Sequence, residues 1–279
     1  MFLKRVLIAI LICSQASYAG VAELVTNIGA SAEYIAVGGN DSVSYGAHSV
    51  FNNPTQIADN DSFSVSLFTT TIMQDVNYRN AAISKQWGRF SAGVGYMDAT
   101  VEDIPETLEI EDDEIGISSY YSAQAKAIKG AFSYKASEQF SIGMLINHYH
   151  NQVHNVIGSA TNTDIGFSYK QYNLLFTGTI KNIYQNKKME YSNKAIEELP
   201  LSTTLSAHLY YAYIQPMAQI SISNHGLQGY SIGSIISHPS FSYLDVLVGF
   251  KSAYHLAGFR HRMTLGFGLN MNNMSVNFT

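Results

Sequence analysis

Four stretches of this chain carry residue types that do chemistry elsewhere. Gly229-Tyr-Ser-Ile-Gly233 has the Gly-x-Ser-x-Gly spacing that sets a serine nucleophile on a sharp turn between a strand and a helix. His225 lies close enough in sequence to serve Ser231 as a base. The surroundings argue against it. Tyr230, Ile232, Ser234 and Ile236 continue a two-residue alternation, and no helical pattern follows. The motif is expected to be small residues in a strand, and no catalytic residue is assigned. His148 and His150, with His154 just beyond, form the densest histidine group. Positions i and i+2 of a strand face the same way, so the first two share a side and have metal-ligand chemistry. No carboxylate stands near them in sequence, and histidines at the rim of a larger structure are the expected reading. No metal and no cofactor are assigned.

The third stretch, Glu102 to Glu114, holds eight carboxylates broken by Ile104, Pro105, Leu108 and Ile110. It lacks the alternating Asp/Asn, Gly and distant Glu of a calcium loop, so a solvated loop is expected, with a weak divalent-cation site as the rival. The fourth, Tyr184 to Pro200, sets Lys187, Lys188 and Lys194 against Glu190, Glu197 and Glu198. That mixture predicts a solvated helix or lid.

The elements that must carry these residues are strands. Phe63, Val65 and Leu67 alternate with serines. Phe140, Ile142, Met144 and Ile146 alternate with Ser141, Gly143 and Asn147, Leu145 being an exception. Ile165, Phe167 and Tyr169, then Leu205, Ala207 and Leu209, then Met263, Leu265, Phe267 and Leu269 repeat the pattern. Successive strand side chains face opposite sides, so each segment has one apolar face and one small or polar face. Thirteen strands are read, near 62–71, 74–86, 89–99, 119–135, 139–151, 160–170, 173–183, 203–213, 217–224, 228–237, 241–254, 259–269 and 273–279. Tight turns at Trp87-Gly88, Ala136–Glu138, Gln171-Tyr172, Gln215-Pro216 and His238-Pro239 alternate with longer loops at 100–118, 152–159 and 184–202. Many strands reach the ~9–11 residues of a tilted bilayer span, and tyrosines gather at their ends. Short turns on one side and long loops on the other are the habit of transmembrane barrels, and place the N-terminus inside.

Composition agrees. Charged residues are 13% of the 279, with 19 Tyr, 21 Gly and 5 Pro. That is well below the ~25% charge of soluble domains. Lys4-Arg5, the apolar run Val6–Ile12 and Ser17-Tyr18-Ala19 have the layout of a secretory signal, too short to span a bilayer. Cutting after Ala19 removes two cations and takes the formal charge from −5 to −7, which argues against a nucleic-acid partner. It also removes Cys13, the one cysteine, leaving no disulfide. Cys13 as a lipid-carrying residue is disfavoured, because Ile12 stands where a small residue belongs. A chain exported without staples needs a large core or a closed sheet. Asp245, Lys251, Arg260 and Arg262 fall in or beside late strands. A midplane charge facing lipid costs ~2–4 kcal/mol, so within the span they should face the lumen or rim.

The stretch before the strands, Val37 to Ala58, is rich in Gly, Asn and Ser and lacks alternation. Gly38-Gly39, then Gly46-Ala47, then Phe51 and Asn53-Pro54-Thr55 come in the order found in the N-terminal hatch of long-chain fatty acid transporters. The chain thus resembles the FadL-like outer-membrane barrels and their PorV/PorQ-like relatives, which usually have Ala where Thr55 stands. The resemblance implies an all-β transmembrane antiparallel barrel of about 14 strands in the outer membrane of a Gram-negative cell. It implies a division into a signal peptide (1–19), a hatch (20–61, with Gly38, Gly39, Gly46, Asn53 and Pro54) and a barrel (62–279). It implies uptake of hydrophobic small molecules such as fatty acids, without enzymatic chemistry. The alternative is a PorV-like accessory barrel that docks secreted proteins. Outer-membrane lipid and lipopolysaccharide are the other expected partners, the acidic stretch bridging lipopolysaccharide phosphates through cations. Thirteen strands conflict with the even count of bacterial barrels. Either a strand has been split or merged, or a fourteenth is wanting.

Overall fold

The computed structural model describes residues 24–43, 45–58, 63–72, 74–110, 114–183, 188–224, 226–238, 241–255, 258–271 and 274–279. The export signal, Cys13 and His225 lie outside them.

Alternation governs the architecture. Fifteen strands run β1 (Ser64–Ile72), β2 (Val76–Trp87), β3 (Phe90–Ile110), β4 (Glu114–Lys135), β5 (Phe140–Val153), β6 (Val156–Gln171), β7 (Leu174–Lys181), β8 (Lys188–Tyr191), β9 (Ile196–Glu198), β10 (Ser202–Leu209), β11 (Ile214–Ser223), β12 (Gly226–His238), β13 (Phe241–His255), β14 (Gly258–Met271) and β15 (Met274–Phe278). All but β8 and β9 form one path of antiparallel sequential neighbours, thirteen strands as the alternation gives. Among the described residues no pairing joins β1 to β15. With thirteen alternating strands these two edges run the same way, which is the parity conflict in structural form.

Several loops prove to be strand. The stretch 100–118 is mostly the upper part of the β3–β4 hairpin, paired out to Ile110 and Glu114, with register shifts at Val101/Ile104 and Glu106/Thr107. Asp103 sits in the first shift at φ 55°. The described part of the acidic run therefore lies largely on paired strands, with Glu102, Asp103 and Glu106 exposed. Residues 152–159 are likewise the tip of the β5–β6 hairpin. Tyr184–Pro200 contains the β8–β9 hairpin rather than a helix. The turn expected at Gln215-Pro216 lies earlier, at 210–213. Pro216 pairs only with Ser234, beyond the last β10–β11 pair at His208–Met217, so its missing N–H breaks no ladder bond.

The outward face is apolar over most of the sheet. Val65, Leu67, Ile83, Val94, Ile128, Ile142, Met144, Ile146, Ile165, Ile232, Leu265 and Phe267 are all exposed there. A surface of this extent is far beyond what a water-soluble monomer leaves open, and suits lipid. Its far edge, opposite the end where β1 starts, is marked by charge. Asp98 accepts from Arg79 Nε and Nη2 (3.0 and 2.9 Å), Thr100 Oγ1 (3.1 Å) and Gln124 Nε2 (3.1 Å). The same register row continues to Lys126 and His150.

The small-residue face encloses the N-terminal segment. That segment holds two one-turn helices, α1 (Leu24–Ile28) and α2 (Ala32–Ala36), and 3-10 turns at Asp41–Val43, Ala47–Phe51 and Pro54–Ala58. The turn at 47–51 touches β1 to β4, and that at 54–58 touches β2 to β6. The turn at 41–43 touches β7 and β10, while α2 touches β13 to β15. A segment in contact with wall strands on all sides lies inside the barrel.

Candidate functional site

The segment is seated by glycines. On the wall, Gly233 of β12 pairs with Gly249 of β13. A Cβ at Gly233 would stand 2.4 Å from Val37 O, one at Gly249 2.2 Å from Gly38 N, and one at Gly266 of β14 2.6 Å from Ala36 Cβ. The segment answers with Gly38 and Gly39 at φ 81° and 76°, left-handed values that glycine adopts at no steric cost. Across the lumen Gly143 and Gly166 pair with each other. Cβ atoms there would lie 2.9 Å from Pro54 Cβ and 2.8 Å from Asn53 Oδ1. Val50, Ile57, Ala131 and Leu145 form a small buried core beside them. Leu145, the exception to the alternation on β5, is thus a lumenal residue aimed at the segment.

Polar side chains fix the segment's backbone. Gln219 of β11 accepts from Asp41 N (2.7 Å) and donates to Gly39 O (3.1 Å). Thr264 Oγ1 donates to Ala36 O (2.8 Å), Lys129 Nζ to Phe51 O (2.9 Å) and Tyr78 OH to Gly29 O (2.7 Å). Asn53 Oδ1 accepts from Thr55 N (3.0 Å) and Thr55 Oγ1 (2.8 Å), an Asx turn that opens the 3-10 turn with Pro54 first. The threonine that departs from the usual alanine adds a bond to that turn. Gly46, at φ 84°, donates its N–H to Gln56 O (3.2 Å), and Ala47 N donates to Ser64 Oγ (3.1 Å) at the root of β1.

Burial displaces the segment's titrations. Asp41 is raised by desolvation, opposed by Lys181, Lys251 and Lys129. Glu33 is pushed up to about 7 by burial and by Asp245. His48 is pushed down to about 4 by burial.

The segment and the wall leave two unlike faces in the lumen. Toward β7 to β14 Met217, Ile235 and Leu247 pack on Ala36, Val37 and Val43, and a row of hydroxyls and charge lies beside them. Thr177, Ser206, Gln219, Ser231, Lys251 and Arg262 fall on one register row. Toward β2 to β6 the lining is apolar: Val25 of α1 packs with Tyr78, Met97, Ala127, Tyr149 and Ala160, closed from the far side by Met189 of β8 and by Leu199. This packed apolar cluster is the candidate contact region for a hydrophobic molecule. At the near end a polar cleft lies between Tyr45, Thr55 and Gln56 of the segment and Lys135, Ser168 and Lys170 of the wall.

Three solved structures resemble this one over most of their length. They are the P. putida toluene transporter TodX (13% identity, 89% of this chain and 90% of that chain, TM-score 0.63), a Pseudomonas aeruginosa FadL homologue (10%, 88% and 88%, 0.59) and the Ralstonia pickettii toluene transporter TbuX (9%, 86% and 97%, 0.52). The fold is that of a FadL-like β-barrel. No family model and no curated protein matches the sequence. Of the two likenesses drawn from the sequence, the FadL-like one is carried by these structures.

The histidines do not converge. His148 and His150 lie on the outer face of β5 with Ile146, His148 Nδ1 2.9 Å from Thr161 Oγ1. His154 occupies the turn after β5 at φ 52°, edge-on to Tyr121. Among the described residues no three His, Cys, Asp or Glu side chains gather as metal ligands. Ser231 lies mid-strand in β12 with no turn or helix after it, so its hydroxyl has no elbow. Gly233 of that motif receives Val37 instead. Lys251 is lumenal, with Nζ 3.1 Å from where a Cβ of Gly39 would stand. Register puts Arg260 and Arg262 on its face. Asp245 accepts from Ser237 Oγ (2.5 Å) and Asn270 Nδ2 (2.6 Å). Apart from Tyr149, which the sequence places with the strand-end tyrosines and the structure buries in the lumen, the residues of the apolar cluster and Gln219 were not singled out by sequence. Their signal was faint: Leu145 out of phase, and glycines recurring on the small-residue faces.

Proposed function

We propose that the chain is an outer-membrane barrel whose N-terminal segment is a hatch, and that hydrophobic small molecules pass through its lumen. The apolar cluster between α1 and the β8–β9 hairpin carries this reading. It is a buried, packed lumenal group of aliphatic, methionine and tyrosine side chains that a passing solute would part and contact. Such a lining favours uncharged apolar molecules, because transfer from water is worth about 25 cal/mol per Å² of apolar surface buried. The similar structures described as a FadL homologue and as toluene transporters support the same class of solute. Fatty acids and aromatic hydrocarbons both fall in it. Gly38, Gly39, Gly46, Asn53 and Pro54 seat the hatch, and the near end faces the periplasm. Passage requires the hatch to yield, with no bond made or broken by the protein. Cells of a Gram-negative host expressing the protein should take up radiolabelled toluene or oleate faster than cells lacking it. Uptake equal to the empty host for both probes refutes the proposal.

A further inference from the structure

The polar cleft at the near end is lined from two sides. The hatch brings Tyr45, Thr55 and Gln56, and the wall brings Lys135 of β4, Ser141 of β5 and Ser168 and Lys170 of β6. Register explains why the wall residues meet. Lys135 pairs with Ser141 and Ser141 with Ser168, one row across three strands. Lys170 stands two residues on from Ser168, on the same face of β6 and nearer the strand end. On the hatch, the bond from Gly46 N to Gln56 O (3.2 Å) draws together the backbone on either side of the 47–51 turn.

This cleft has donors in excess. Gln56 is 4% exposed, and its Nε2 has no partner among the described residues. The Tyr45 hydroxyl is buried and equally bare. Buried donors are rarely left so, and these two call for an acceptor. Lys135 and Lys170 add an ammonium each, a group with three donors and no acceptor. Neither is in an ion pair among the described residues. Lys170 Nζ lies 5.8 Å from the centre of the Tyr210 ring, which is 6.3 Å from the ring of Tyr45, so this cation is turned toward the hatch. Against the two cations stands one lining carboxylate, Glu138, exposed in the turn after β4. Water supplies acceptors but leaves the charge unmatched. A carboxylate or phosphate group is negative, rich in acceptors, and answers both demands.

We infer that the near-end cleft is an oxyanion site, taking a carboxylate or phosphate group between the Lys135 and Lys170 ammonium groups and the Tyr45 and Gln56 donors, and that the bound anion ties the hatch to the wall. Half of the site belongs to the hatch and half to β4–β6, so it is complete only while the hatch is docked. An anion that binds the docked form alone favours it by the factor 1 + [L]/Kd. The inference rests on the hatch being seated in the barrel, and not on any solute passing through it.

The test uses the purified full-length protein in a neutral detergent, with radiolabelled inorganic phosphate as the probe in equilibrium dialysis. Saturable binding near one phosphate per chain is expected. The double variant Lys135→Gln/Lys170→Gln should weaken it at least tenfold; Lys170 is exposed and Lys135 half-buried, so the fold survives their change. Gln56→Glu, nearly the same shape but with an acceptor in place of the donor, should weaken it as much from the hatch side. Phosphate at ten times its Kd should slow proteolytic nicking of residues 24–58 about elevenfold in the wild type and leave the lysine variant unchanged. Acetate and octanoate then separate the sources of the anion. Displacement of phosphate at lower octanoate than acetate concentration assigns the site to the head group of an amphiphile; equal displacement, or none, assigns it to a free oxyanion. No saturable phosphate or octanoate binding up to about 10 mM overturns the inference. So does binding that both variants retain at full strength, which marks an adventitious ion only, and so does binding that leaves nicking unslowed. Cellular uptake is untouched by these readouts, so its failure would count against the transport reading alone.

Discussion

The substitution Gly249→Ala puts one methyl group where the hatch touches the wall. Gly249 does not have a left-handed φ, so alanine fits the strand and the effect is steric. The new Cβ would lie 2.2 Å from Gly38 N and 2.4 Å from Val37 C, both backbone atoms. Backbone on both sides cannot rotate away as a flexible side chain does. Overpacking of this kind costs about 1–3 kcal/mol. β13 is held by full ladders to β12 and β14, whereas the segment near Val37 is held by a few side-chain bonds. The strain should therefore fall on hatch docking. If opening and closing are fast relative to cleavage, a loss of 1–3 kcal/mol speeds nicking of residues 24–58 by roughly 5–150-fold. Limited proteolysis with mass spectrometry of the fragments measures it. Gly130→Ala is the control, since nothing lies within 4 Å of its added Cβ. Nicking of the Gly249 variant at the control rate refutes the seating of the hatch on these glycines. So does a drop in barrel melting temperature without faster nicking, which would put the strain in the wall.

Other consequences follow from the same contacts. Gln219→Leu strips the partners from Asp41 N and Gly39 O, each buried group left bare costing about 1–3 kcal/mol, and should raise nicking as strongly as Gly249→Ala. Thr55→Ala removes one hydroxyl bond and should cost only about 0.5–1.5 kcal/mol, visible as a small shift in the same assay. The pH dependence of hatch docking has two opposed parts. Glu33, whose carboxyl is raised from 4.5 to about 7, stabilises the docked state fully below 4.5, and the contribution is lost as pH rises toward 7. His48, lowered from 6.5 to about 4, contributes fully above 6.5 and loses it as pH falls toward 4. Wild-type docking measured against Glu33→Gln, a difference in which Asp41 and His48 cancel, should therefore weaken as pH rises from 4.5 to 7. A difference that does not change over that range contradicts the assignment. Ser231→Ala should leave ester hydrolysis by the purified protein at the background rate, and a drop would revive the nucleophile.

The wall was legible because alternation is a local property. Phe63, Val65 and Leu67 announce an outward face whatever the far side meets, and all thirteen wall strands came from such runs. The ends were not, because a charged hairpin above a membrane and a charged loop have one composition; 100–118 could be told apart only by the pairing of β3 with β4. The β8–β9 tip escaped for a related reason: four residues and three give no period, and their pairing depends on a register break that sequence does not display. The hatch stretch was marked by its departure from alternation and by Asn53-Pro54. Its seats were invisible, since Gly143 and Gly166 meet only when β5 and β6 pair, and their partner lies some ninety residues or more upstream. Leu145 looked like noise because the hatch that buries it belongs to a different part of the chain.

The most direct test of the transport reading is mass spectrometry of the protein purified from outer membranes in mild detergent, scoring bound small molecules and proteins together. Hydrophobic molecules bound at near-stoichiometric levels, and lost when the apolar cluster is overpacked by Ala160→Phe, are the predicted result. A tightly held protein partner with no bound hydrophobic molecule contradicts it, and recovery of the chain as a soluble periplasmic protein contradicts the barrel itself.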